Sequence, residues 1–213
     1  VETEVSALVV DTTPEFRIQM LREKIKWLDA VLITHAHADH IMGMDDCRRF
    51  CDMRGDKPLP IYGIEQTIEI LKKVFFYAFH DGPHPHGYFI PEPHVVKSEF
   101  KIGDLSIRPQ LLDHIYITSC GYLFIQNGIK KLAYLTDCKY VPDNVIEDIQ
   151  GVEVVVLDGL RITPHPTHLN LEEAIEVSTR VKTNKTYLTH LTHEYNHDEH
   201  QRLIAQKYPN IYL

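Results

Sequence analysis

Several kinds of residue pattern are missing from this chain, and each absence excludes a class of protein. Its four cysteines, Cys47, Cys51, Cys120 and Cys138, include no Cys-x-x-Cys pair, and no secretory segment is visible in residues 1–213. They read as reduced thiols in a cytoplasmic protein, not as a disulfide framework. No apolar run is long enough to cross a bilayer, so no membrane partner is expected. No run of Lys or Arg exceeds two residues and the formal net charge is −8, which argues against extended nucleic acid as a partner. A small anionic substrate remains compatible, because a bound metal inverts the local field. There is no internal repeat and no low-complexity linker, so a single domain over residues 1–213 is expected. The first residue is Val1 and not methionine, so further residues are expected before it.

With 44% hydrophobic and 24% charged residues over 213 positions, the composition suits a globular α/β protein that can bury a core unaided. Short apolar runs read as strands at Ser6–Val10, Asp29–Thr34, Leu105–Leu112, Val152–Leu157 and Lys185–Thr189. Asn127-Gly128 between Tyr122–Gln126 and Lys130–Leu135 signals a two-residue hairpin. Helical patterns follow Pro14, span about Ile41–Cys51 and Glu65–Tyr77, and recur at Leu171–Val181 and Asp198–Lys207. His80–His94, with four prolines, two glycines and four histidines, reads as one long loop, a lid or an insertion.

The chemistry concentrates after the second strand, in Thr34-His35-Ala36-His37-Ala38-Asp39-His40. Three imidazoles and a carboxylate within six residues are ligands for zinc, manganese or iron that leave positions open for water. Ordinary packing calls for no such run. Three further candidates stand just after β-like segments, where a sheet can fix them: His114, Asp137 and His190. Together these are five His and two Asp, enough for two metals sharing one carboxylate.

This pattern resembles that of the metallo-β-lactamase-fold hydrolase superfamily, whose signature is His-x-His-x-Asp-His followed by a distant His, Asp and His. The resemblance runs from about Val5 to His193 and implies a four-layer αββα sandwich. The first strand and glycine-rich turn of that fold have no counterpart here. The resemblance assigns His35, His37 and His114 to one divalent ion, and Asp39, His40 and His190 to the other, with Asp137 bridging. Two such ions hold a bridging water as nucleophile, which Asp39 can orient, and they neutralise charge on the oxygens it attacks.

Within the superfamily the chain is most like the phosphoribosyl cyclic phosphate phosphodiesterases, relatives of ribonuclease Z. The shared features are Gly43-Met44-Asp45-Asp46, Thr136-Asp137, and His168-Leu169-Asn170 ahead of an acidic helix start. The resemblance implies that His168 protonates a leaving alkoxide, a poor leaving group that needs a proton donor. A plain alternative is a helix-entry residue before Asn170 as N-cap. His193 is assigned to phosphate contact or to support of the ligands. The expected substrate is a small anionic phosphodiester, cyclic or nucleotide-like.

A thioesterase or lactonase of the same fold shares the ligands, as does a ribonuclease Z-like nuclease. The nuclease normally carries an RNA-binding arm and a basic surface, which this sequence lacks. The oligomeric state is left open, a homodimer included. In the long loop, His84, His86 and His94 read as solvated residues more readily than as a further metal site. Cys138, beside Asp137, reads as a small buried residue, and Cys47 and Cys51 as core packing.

Overall fold

Strand-forming runs and their turn residues set the framework. In the computed structural model, which describes residues 1–80 and 82–213, the chain divides into two units, Val1–Asp104 and Leu105–Leu213.

In the first unit, β1 (Leu8–Val10), β2 (Ala30–Leu32), β3 (Leu59–Gly63) and β4 (Pro91–Val95) form a parallel sheet in that order. Parallel strands need crossover connections, and the helices α1 (Phe16–Arg22), α2 (Ala38–Ile41), α3 (Arg48–Met53) and α4 (Glu65–Val74) lie in them. A short strand β5 (Phe100–Ile102) follows. Val31, Ile33, Phe50, Ile61, Ile68 and Leu71 form the heart of this unit's core. The region expected as one helix over Ile41–Cys51 is broken into the end of α2, a 3-10 turn at Met44–Cys47, and α3. Gly43 lies flat on the α1 entrance, where a Cβ would stand 2.0 Å from the Thr13 carbonyl oxygen. Its amide donates to the Thr12 carbonyl at 2.9 Å, so the chain is held to that neighbour instead of continuing its helix.

The long loop expected over His80–His94 is also shorter than expected, because its last four residues, Pro91–His94, belong to β4. Proline cannot donate to a ladder, and a run with Pro91 and Pro93 reads as irregular. An edge strand tolerates it, and β4 is last in the sheet order. Asp81, within that segment, lies outside the described residues.

In the second unit the strand order β11-β10-β9-β8-β7-β6 places β6 (Leu105–His114), β7 (Ile117–Gln126) and β8 (Ile129–Leu135) antiparallel. From β8 onward β9 (Val154–Asp158), β10 (Lys185–Thr189) and β11 (Ile211–Tyr212) run parallel. Asn127 (φ 52°) and Gly128 (φ 77°) both adopt left-handed backbone in the β7–β8 turn, as the Asn-Gly signal predicts. Helices α5 (Asp143–Ile149), α6 (Leu171–Val181) and α7 (His197–Lys207) complete the unit. A capping box bounds α6: Asn170 Oδ1 accepts from Glu173 N and Glu173 Oε2 accepts from Asn170 N, each at 2.9 Å.

All four cysteines are buried and free, and burial pushes the Cys138 thiol well above its ordinary value. Among the described residues no helix is long and apolar enough to cross a membrane.

Candidate metal centre

In the first unit the ligand run starts where β2 ends. Ile33 N still donates to the β3 residue Tyr62 at 2.8 Å, and then the chain leaves the sheet. His37 is the N-cap of α2, so Asp39 and His40 fall in that helix's single turn. The run thus folds back on itself. The His35 ring centroid lies 4.6 Å from that of His37 and 4.2 Å from that of His40. His35 Nε2 and His37 Nδ1 approach to 3.0 Å, and His40 Nε2 stands 3.3 Å from Asp39 Oδ2. Two imidazole nitrogens at that distance share either a proton or a cation. His35 and His40 are buried, whereas His37 and Asp39 face solvent.

One residue holds this arrangement that sequence reasoning missed. Asp11, at the end of β1, is buried, with left-handed backbone (φ 60°). Its Oδ1 accepts from Thr34 N at 2.8 Å, and its Oδ2 accepts from Thr34 Oγ1 and meets His40 Nδ1, both also at 2.8 Å. Burial pushes the Asp11 carboxyl up, opposed by the hydrogen bonds and charge of His40 and by Thr34. The carboxylate fixes the Nδ1 proton of His40 and so presents Nε2 as an electron-pair donor.

In the second unit three strand ends converge. His114 ends β6, Asp137 follows β8 and His190 follows β10. Asp137 Oδ2 lies 4.0 Å from His114 Nε2 and 3.4 Å from His190 Nε2, so one carboxylate oxygen is approached by two imidazoles. The Thr167 carbonyl lies 3.1 Å from His114 Nδ1 and selects the tautomer with Nε2 available. Asp137 (φ 54°) and His190 (φ 61°) are left-handed like Asp11. Each such residue stores about 1–2 kcal/mol of backbone strain, which the sheets must overcome to aim these side chains.

His168 stands in the same unit. Its ring stacks on His190 (4.8 Å, 11°) and meets His114 edge-on (4.8 Å, 70°). Its Nδ1 lies 2.8 Å from Oδ2 of the fully buried Asp158, which also accepts from Cys138 N at 2.9 Å. Asp158 ends β9 and was also missed. Both overlooked aspartates follow apolar strands, as Asp137 does, and that signal could have found them. His193 is exposed in the turn after β10 and belongs to none of the metal-capable groups among the described residues.

The loop histidines have separate settings. His94 stacks on Tyr62, His84 Nε2 lies 2.9 Å from the Ala78 carbonyl, and His86 pairs with Asp56 at 2.7 Å.

The donor set is therefore imidazole nitrogen and carboxylate oxygen, with His35, His40 and His114 each backed on Nδ1 by an oxygen. This chemistry fits a divalent transition ion such as zinc, manganese or iron.

Comparison with known proteins extends these observations. A family profile described as "Beta-lactamase superfamily domain" matches residues 7–191. An octanoyltransferase of Porphyromonas gingivalis is 31% identical over 201 residues, 92% of this chain but 39% of that protein, so the chain spans about two fifths of that relative. Exodeoxyribonuclease WalJ of Streptococcus pneumoniae is 28% identical over 208 residues, 87% of this chain and 72% of that protein. Among solved structures, a diphosphatase of the PhnP family superimposes with a TM-score of 0.84 at 37% identity, covering 96% of this chain and 75% of that one. The short form of human tRNase Z superimposes with a TM-score of 0.73 at 15% identity, covering 100% of this chain and 87% of that one, a likeness of fold alone.

Proposed function

The chain belongs to the beta-lactamase superfamily, a family of metal-dependent hydrolases, and from that premise we propose that it is a dinuclear phosphodiesterase acting on a small cyclic phosphate or nucleotide-like diester. In this reading both units serve one catalytic domain. His35, His37 and His114 hold one divalent ion, Asp39, His40 and His190 hold the other, and Asp137 is shared. Zinc and manganese suit these donors best, with iron also compatible. When bound, the ions supply an activated water and neutralise charge on the phosphoryl oxygens.

The observation that carries the phosphodiester reading is the buried pair of His168 and Asp158. Asp158 holds a proton on His168 Nδ1 and stabilises the charged ring, which suits His168 to deliver its Nε2 proton to a departing alkoxide. A thioester needs no such donor, because a thiolate leaves readily on its own. His193, in its exposed turn, is available to contact the substrate phosphate. Four free, buried cysteines suit a reducing compartment such as the cytoplasm.

The test is hydrolysis of bis(p-nitrophenyl) phosphate by protein loaded with manganese or zinc. Turnover by the wild type, lost in His35→Ala, is expected. Full activity in His35→Ala would remove the ligand assignment, and faster turnover of thioesters or lactones on the same preparation would replace the phosphodiester. The exodeoxyribonuclease relatives support a second reading, action on DNA ends. Faster cleavage of single-stranded DNA than of cyclic phosphates would select it.

A further inference from the structure

The segment that brings in His168 carries a second imidazole that neither the ligand set nor the proton donor uses. His165 is half-buried, and its ring centroid lies 5.2 Å from that of His168 at 53°. Its Nδ1 accepts the Thr167 backbone N–H at 3.3 Å and lies 3.1 Å from Thr167 Oγ1. A backbone N–H can only donate, so Nδ1 carries a lone pair and the ring proton sits on Nε2. A charged ring would point a second proton at that N–H. Burial, then the neighbouring His168 and Arg161, lower the tendency of His165 to charge.

His168 is set the opposite way, with Nδ1 donating to Asp158. Two rings three residues apart thus have opposite Nδ1 roles, one an acceptor and one a donor.

Their mounting is rigid. Leu160 N donates to Leu169 O at 3.0 Å, and Leu171 N donates to Arg161 O at 2.9 Å, closing the base of the loop. The Arg161 guanidinium donates to the carbonyls of Thr163 (3.2 Å) and Pro164 (2.7 Å), bracing the approach to His165. The loop therefore holds a neutral N–H donor beside His168.

We propose that His165 binds the substrate's leaving group. Its Nε2–H donates to an acceptor oxygen carried beside the departing oxygen, either a vicinal hydroxyl or a phosphate. This deepens the phosphodiesterase reading and rests on the role given there to His168. It makes His165 a specificity-determining residue: leaving groups with such an oxygen are preferred over those without one.

The test uses the zinc-loaded full chain. In His165→Asn the side-chain oxygen can replace Nδ1 in the Thr167 contact while the outward donor is lost; in His165→Gln an amide N–H reaches the place of Nε2. Loss of one neutral hydrogen bond is worth about 3–10-fold in kcat/KM. His165→Asn is expected to lose that factor on ADP if the acceptor is a phosphate, or on the dinucleotide ApA if it is a hydroxyl. It should stay within about twofold of wild type on bis(p-nitrophenyl) phosphate, whose leaving group has no adjacent acceptor. His165→Gln should recover most of the loss. Equal losses on all three substrates, or none, would overturn the proposal.

A measurement independent of turnover keeps it distinct from the parent reading. In 15N-labelled protein, His165 should show a protonated Nε2 and an unprotonated Nδ1, and the Nε2 resonance should shift with inorganic phosphate if the acceptor is a phosphate, or with adenosine if it is a vicinal hydroxyl. An Nδ1-protonated ring, or no shift at saturating concentrations of both probes, refutes the role of His165. Absence of turnover on every diester refutes the hydrolase reading instead.

Discussion

Asp11→Asn changes one atom type and should uncouple His40 from its metal. In the native protein Asp11 Oδ2 faces two groups at 2.8 Å, Thr34 Oγ1 and His40 Nδ1, while Oδ1 receives Thr34 N. The asparagine oxygen must keep the Thr34 N–H, because a backbone amide cannot accept. The new NH2 then points at His40 Nδ1 and at the threonine hydroxyl. His40 can satisfy it only by moving its proton to Nε2, which removes the electron pair that would bind the ion. Loss of such a supporting carboxylate costs about 10–100-fold in metal affinity, or about 1.4–2.8 kcal/mol. The buried hydrogen bonds rearranged in the apo-protein add a folding cost of about 1–3 kcal/mol. Chelator-competition titration with zinc should therefore show one site weakened by that factor and the other nearly unchanged, and urea denaturation of the apo-protein should show the lower stability. Two sites of native affinity in Asp11→Asn would show that His40 does not depend on Asp11 for its tautomer.

Three other perturbations follow from the same structure. His168→Ala should slow diesters with alkoxide leaving groups by about 10²–10⁴-fold, yet slow bis(p-nitrophenyl) phosphate far less; equal losses on both would remove the general acid. Ile115, β-branched and left-handed (φ 56°) in the two-residue turn after His114, should accept glycine with a gain of about 1 kcal/mol, seen as a Tm rise of about 2–4 °C; a lower Tm would show that the side chain matters more than the strain. The hydrogen bond that His86 donates to Asp56 raises the His86 pKa, and the same bond lowers that of Asp56. The pair's contribution is thus complete below the unfolded histidine value and is lost as pH climbs through the raised one. It is lost again in acid, as pH falls through the lowered Asp56 value. An NMR titration should place His86 above about 6.5 and show a lower midpoint in Asp56→Ala, with Asp52 still beside the ring; an unchanged midpoint would exclude the pairing.

The candidate ligands were legible because the sequence marks them locally: an apolar strand, then His or Asp in the segment after it. The same grammar ends β1 with Asp11 and β9 with Asp158, but a lone aspartate after a strand is common, and only the tertiary contacts with His40 and His168 give these two a role. His165 was hidden for a similar reason, since its tautomer depends on the Thr167 backbone amide and not on any spacing. Helix α6 was read to the residue because Asn170 and Glu173 form a local capping box. Helix Ile41–Cys51 was misread because its break comes from the Thr13 carbonyl, 30 positions away along the chain, meeting Gly43. β4 was missed because Pro91 and Pro93 look like breakers until the strand is known to be an edge.

The proposed chemistry depends on seven side chains holding two ions around one carboxylate. Crystals of the zinc-loaded protein, measured by anomalous diffraction at the zinc edge, should show two peaks per chain, one bound by His35, His37 and His114 and one by Asp39, His40 and His190, with Asp137 touching both. A single peak, or two peaks that share no ligand, would rule that arrangement out.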